Sequence, residues 1–104
     1  MHPQTDLSAL EARAGEVAGA MRALGNEKRL LILCQLSSGE MSVGALAEAV
    51  GLSQSALSQH LAKMREDGIV DFRREAQTVK YRIADPRIGG LLQSLYGLYC
   101  APKT

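Results

Sequence analysis

The chain lacks any long apolar run: no stretch approaches the roughly 18 consecutive apolar residues that a membrane-crossing helix requires. Met1-His2-Pro3-Gln4-Thr5-Asp6 has neither the basic flank nor the apolar core of a secretory signal, so the expectation is a cytoplasmic protein with no membrane partner. Cysteine is scarce too. Cys34 and Cys100 are too few for a disulfide framework, and in a reducing compartment a bridge between them is conditional rather than structural. With only His2 and His60 as histidines, one subunit cannot assemble a four-ligand zinc site of N and S donors except from scattered groups. There is no Cys-x-x-Cys and no cysteine with a placed histidine, which removes the chemistry of a small thiol oxidoreductase. Repeats, low-complexity tracts and linkers are missing as well, and 104 residues leave no room for a separate catalytic domain. The expectation is one domain over residues 1–104 that binds rather than catalyses.

What is present is a series of helix signals. Ser8 followed by Glu11 has capping-box spacing and opens an Ala- and Leu-rich helix over about residues 7 to 24, with Gly25 as its stop. Asn26 caps a second helix from Glu27, whose run Leu30, Leu31, Ile32, Leu33, Cys34 and Leu36 predicts burial on most sides, ending at Ser37-Ser38-Gly39. Ser42 caps a short third helix with Val43, Leu46, Ala47 and Val50 inward, and Gly51 stops it. Ser53 caps a fourth, with Leu57, Leu61 and Met64 as its inward stripe and Gly68 at its close. Two helices joined by Gly51-Leu52-Ser53 have the spacing of a helix-turn-helix.

After Gly68 the period changes. Ile69, Val70 and Phe72, then Val79, Tyr81 and Ile83, predict an antiparallel hairpin with the solvated tip Arg73-Arg74-Glu75-Ala76-Gln77-Thr78. Asp85-Pro86 starts a last helix carrying Ile88, Leu91, Leu92, Leu95, Tyr96, Leu98 and Tyr99, which ends near Cys100, before Pro102. The fold class is therefore mainly α with a β-hairpin wing, a winged helix-turn-helix. The first and last helices hold more apolar residues than so small a core can cover; they form a homodimer interface or pack on their own core alone.

The net charge of +1 says nothing as a total, but Lys63, Arg65, Arg73, Arg74, Lys80 and Arg82 cluster in the second half of the chain. Opposite the inward stripe, the fourth helix presents Gln54, Ser55, Ser58, Gln59, Ala62 and Lys63. Short amides and hydroxyls of this kind read base edges, since Gln pairs with adenine N6/N7 and Ser donates to or accepts from several bases. Together with Arg73, Arg74, Gln77 and Lys80 of the hairpin they form a candidate surface for double-stranded operator DNA, an inverted repeat read by paired helices. His60 lies beside this face and either touches phosphate or packs against the preceding helix.

Three stretches carry a family resemblance: Leu24-Gly25-Asn26-Glu27-Lys28-Arg29-Leu30, Leu52-Ser53-Gln54-Ser55-Ala56-Leu57-Ser58-Gln59-His60-Leu61, and Arg65-Glu66-Asp67-Gly68-Ile69-Val70. Over roughly residues 8 to 100 the chain resembles the ArsR/SmtB family of dimeric winged-helix repressors. That family mostly senses metals, through a Cys-x-Cys pair on its third helix or His/Asp/Glu clusters on its fifth. This chain departs from both patterns. Glu40-Met41-Ser42-Val43-Gly44-Ala45-Leu46 holds no thiol, and no histidine, and no carboxylate after Asp85, occurs along the last helix.

The two cysteines resemble instead the persulfide-responsive dithiol (SqrR/BigR/YgaV) branch, in which thiol oxidation or persulfide/polysulfide bridging of two such thiols releases the operator. That resemblance implies a repressor sensing reactive sulfur species through Cys34 and Cys100, with no metal and no cofactor. Two other readings stay open: a metal- or haem-responsive repressor, and a protein-interaction module that has lost DNA binding. A free cysteine in an apolar run is also commonly an inert packing residue, which fits Cys34 better than Cys100 near the chain's end.

Overall fold

The structure is a computed structural model that describes residues 7–100; His2, the opening segment 1–6 and Pro102 lie outside the described residues. The elements run α1 (Leu7–Ala12), α2 (Ala14–Leu24), α3 (Glu27–Leu36), β1 (Met41–Ser42), α4 (Val43–Val50), α5 (Gln54–Glu66), β2 (Val70–Glu75), β3 (Thr78–Ile83) and α6 (Pro86–Tyr99). No helix among the described residues is long and apolar enough to cross a membrane.

Four expected caps are formed. Asn26 Oδ1 accepts the Arg29 amide at 3.1 Å, Ser42 Oγ that of Ala45 at 3.2 Å, Ser53 Oγ that of Ala56 at 3.1 Å and Asp85 Oδ1 that of Arg87 at 3.0 Å. Each satisfies an amide that the first helical turn leaves without an intrahelical partner. Gly51 (φ 71°) and Gly68 (φ 76°) take the left-handed conformation that ends α4 and follows α5.

The first helix is not continuous. It breaks at Arg13 (φ −111°, ψ 12°), whose amide donates to Leu10 O at 3.0 Å, a tightened turn. Arg13 pairs with Glu16 at 3.2 Å, and α1 buries no side chain. Ser8 falls inside α1 rather than ahead of it, so the capping box does not open the helix. Gly25 stops α2 after Leu24 as expected, its amide donating to Met21 O at 2.8 Å, at φ −78° rather than in the left-handed region, and the chain leaves through the extended backbone of Asn26.

The sheet has three strands in the order β1-β3-β2, both pairs antiparallel. Strand β1 was not expected, because two residues show no period. The hairpin ladder runs from Val70↔Ile83 to Glu75↔Thr78, so its turn is only Ala76-Gln77, with Ala76 at φ 56°. The six residues expected as a tip mostly continue the strands, since backbone pairing does not require apolar side chains.

Ile32, Leu33, Leu46, Leu57, Leu61, Met64, Val70 and Ile88 are fully buried and knit α3, α4, α5, β2 and α6 around one core. Helix α3 departs from the expected burial on most sides: Leu31 and Cys34 are exposed. Burial there follows the face holding Ile32, Leu33 and Leu36, not the length of the apolar run.

Candidate DNA-reading face, wing and thiol pair

Helix α5 is set across α4 by the turn at Gly51, where the Leu52 amide donates to Ala47 O at 3.0 Å. Leu57, Leu61 and Met64 lock its inner face into the core. As a consequence Gln54, Ser55, Ser58, Gln59, Ala62 and Lys63 all stand exposed on the outer face. No acid occupies its first turn, so the positive end of the helix dipole meets no neutralising carboxylate there. A rod with short polar donors and acceptors, one lysine and a positive N-terminus suits a phosphate-lined groove.

His60 sits at the edge of this face. It is half-buried, and its Nδ1 accepts from Arg29 Nε on α3 at 3.3 Å. Burial first and the Arg29 charge second hold its pKa below the ordinary histidine value, so the ring is neutral with its proton on Nε2.

The wing cations are not equivalent. Arg73 forms a bidentate pair with Glu40, Nη2 to Oε1 at 2.7 Å and Nε to Oε2 at 2.9 Å. Lys80 pairs with Glu75 at 2.8 Å. Arg74 is exposed and makes no ion pair among the described residues, and Gln77 is exposed in the turn. Two partners escaped the reading of the sequence. Glu40 lies 33 residues from Arg73 with no local signal of the contact, and Arg65 at the end of α5 stacks over the Phe72 ring at 4.3 Å.

Both thiols are free and exposed, Cys34 on α3 and Cys100 just beyond α6. Partial burial raises the Cys34 pKa, and the charge of Cys100 raises it further. Among the described residues of one protomer, no three His, Cys, Asp or Glu side chains converge on a point.

A tri-helical core whose second helix of a tight pair faces outward beside a β-hairpin defines a winged-helix DNA-binding regulator. Residues 26–71 match the family described as "Bacterial regulatory protein, arsR family". The chain is 44% identical over 97 residues to the "Biofilm growth-associated repressor" of Agrobacterium fabrum, a match covering 93% of this chain and 83% of the relative. Reduced HlyU from Vibrio cholerae superposes with a TM-score of 0.83 at 44% identity, over 89% of this chain and 98% of that one. The homodimeric winged helix-turn-helix DNA-binding domain of Mb0332 from Mycobacterium bovis, a possible ArsR-family transcriptional regulator, superposes with a TM-score of 0.76 at 35% identity, over 94% and 89% of the two chains. The chain belongs to the arsR family of bacterial regulatory proteins, and its function is DNA-binding transcriptional regulation rather than catalysis.

Proposed function

We propose that the chain is a cytoplasmic homodimeric repressor that releases its operator when reactive sulfur species bridge Cys34 and Cys100. The observation that carries this reading is the thiol pair itself: two free, exposed cysteines, one on α3 and one directly after α6, with the charge of Cys100 among the causes that raise the Cys34 pKa. An organic polysulfide supplies the oxidant. Each thiolate in turn attacks the central sulfur of a trisulfide, expelling one thiolate, so that two protein thiols are oxidised and the trisulfide is reduced to two thiols. The product is a Cys–S–S–S–Cys bridge tying α6 to α3. A bridge with an added sulfur spans a wider gap than a direct disulfide, whose Cα atoms must lie roughly 4.4–6.8 Å apart.

The dimer is supported by apolar surface with nothing to cover it in one protomer. Leu7, Leu10, Val17 and Met21 on the first two helices are exposed, as are Tyr96, Leu98 and Tyr99 on α6, the last two at 79% and 82%. A groove of about 580 Å³ between α2 and the start of α6, lined by Val17, Met21, Ile88 and Leu91, continues this surface. The radius of gyration is 15.4 Å, against about 13 Å for a compact chain of this length. One shared core supports treating residues 1–104 as a single DNA-binding domain. In the dimer, the Gln54, Ser55, Ser58, Gln59 and Lys63 faces of two α5 helices enter successive major grooves of an inverted repeat, with Arg74 and Gln77 of each wing over flanking DNA.

Mass spectrometry of the intact protein and its peptides after treatment with organic trisulfide, peroxide or thiol disulfide tests the sensor chemistry. The expected product is a Cys34–Cys100 crosslink carrying one added sulfur, formed with trisulfide. Capped or untouched thiols in every arm contradict it.

A further inference from the structure

We propose that the wing divides its charges between its two faces. Arg74 alone is its phosphate contact, while Arg73, Lys80 and Arg82 are positioning residues locked with Glu40, Asp71 and Glu75 into a neutral lattice that braces the wing on the helix-turn-helix unit. This inference rests on the family's DNA binding and deepens the reading of the wing given above.

The register assigns the faces. Side chains alternate along a strand, and directly paired residues of neighbouring strands share a side. Asp71↔Arg82 and Arg73↔Lys80 on the hairpin, with Ser42↔Lys80 joining β1, put Asp71, Arg73, Glu75, Lys80 and Arg82 on one face. Glu40, two residues before Ser42, falls on the same side and reaches across β3 to Arg73. Every charge on this face is answered: Arg73 by Glu40 at 2.7 Å and Glu75 at 3.7 Å, Lys80 by Glu75 at 2.8 Å, Arg82 by Asp71 at 3.6 Å. Three acids and three bases sum to zero. An isolated exposed pair stabilises little, but a bidentate arginine–carboxylate pair within a network is the case where geometry holds. Glu40 precedes β1 and α4, so the lattice links the wing to the first helix of the helix-turn-helix.

The opposite face carries Val70, Phe72 and Arg74 on β2 against Ile83, Tyr81 and Val79 on β3. The Phe72 and Tyr81 rings pack 5.3 Å apart on it, and Arg65 of α5 lies over Phe72. This is the side turned toward the reading helix. Arg74, the next residue of that row, projects beyond the rings with no carboxylate partner among the described residues. A phosphate approaching beside α5 meets Arg74 without breaking an ion pair. To reach Arg73 it has to displace Glu40.

The test is the salt dependence of duplex binding by the full chain, read by fluorescence anisotropy over a series of potassium chloride concentrations with operator and random duplexes. For Arg74→Gln the log–log slope is expected to become shallower by about 1 per protomer, with both duplexes weakened alike. For Arg73→Gln, Lys80→Gln and Glu40→Gln the slope is expected to stay that of the unmodified protein. Glu40→Gln and Arg73→Gln are expected to weaken operator binding by the same factor, and the double variant by no more than either single one. The proposal is overturned if Arg73→Gln flattens the slope as Arg74→Gln does, or if Glu40→Gln tightens binding by freeing Arg73 for phosphate. Salt-independent or undetectable binding by the unmodified protein overturns DNA binding itself, a result distinct from either.

Discussion

Gln54 and Ser58 stand on the exposed face of α5 because Leu57 and Leu61, one turn apart, point into the core. If these polar side chains meet base edges, Gln54→Ala and Ser58→Ala are each expected to weaken operator binding by about 1–3 kcal/mol while leaving random duplex nearly unchanged. Competition titrations with the two duplexes decide it, and equal losses on both would assign these residues to the backbone. His60 makes a different expectation. Folding lowers its pKa, chiefly by burial, so the unfolded chain binds the proton more tightly. The neutral ring's contribution to stability is complete above the ordinary histidine value near 6.5 and is lost as pH falls through the lowered one. Urea denaturation at about pH 7 and pH 5 is expected to show a loss on acidification that is smaller in His60→Gln, whose amide oxygen can still accept from Arg29. An equal loss in both proteins would contradict the assignment. The exposed polar face of α5 was legible in the sequence since helical period alone sorts the helix into two sides. The partners of His60 and Arg73 were not, because each lies some thirty positions away, 31 for Arg29 and 33 for Glu40.

At the level of elements, caps were the most legible feature, since a cap is a contact between near neighbours in sequence. Ser42 shows how much one can hold. It caps α4 through Oγ and pairs with Lys80 in β1, so it joins the helix-turn-helix to the sheet. Ser42→Ala is expected to lower stability by about 1 kcal/mol, and Ser42→Asp to recover most of that, as read from denaturant midpoints. A neutral Ser42→Ala would show that the sheet pairing, which needs no side chain, holds α4 by itself. The elements missed in the sequence failed for one reason. The break at Arg13 and the short β1 depend on what packs beside them rather than on the residues they contain, and α1 buries no side chain. The apolar run of α3 misled in the opposite direction: continuous hydrophobicity left Leu31 and Cys34 on an open side.

For the whole molecule, the exposed apolar surface of α1, α2 and α6 is the surface proposed to pair two protomers. Leu98→Glu and Leu10→Glu each place a charge on that surface without touching the core, so the helical signal of the protomer is expected to persist while the dimer dissociates. Sedimentation velocity at micromolar concentration, expected to show a dimer for the unmodified protein and a shift toward monomer for the variants, checks this. A monomeric mass for the unmodified protein would contradict it. The proposed dimer is also what would give the proposed thiol bridge its leverage. Cys100 follows the helix that carries Leu98 and Tyr99, and Cys34 sits on the helix packed against α4, so a covalent tie between them sets the dimer surface against the reading unit. A hundredfold loss of operator affinity requires the bridged state to disfavour the bound conformation by about 2.7 kcal/mol, a coupling of ordinary size.

The most direct measurement is therefore an operator titration of the unmodified protein, Cys34→Ser and Cys100→Ser, each reduced and each treated with organic trisulfide. The expected result is equal affinity for all three when reduced, with loss of binding on treatment confined to the unmodified protein and reversed by added thiol. Loss of binding by either serine variant to the same extent as the unmodified protein would contradict it, and would leave the two exposed cysteines with no part in the response.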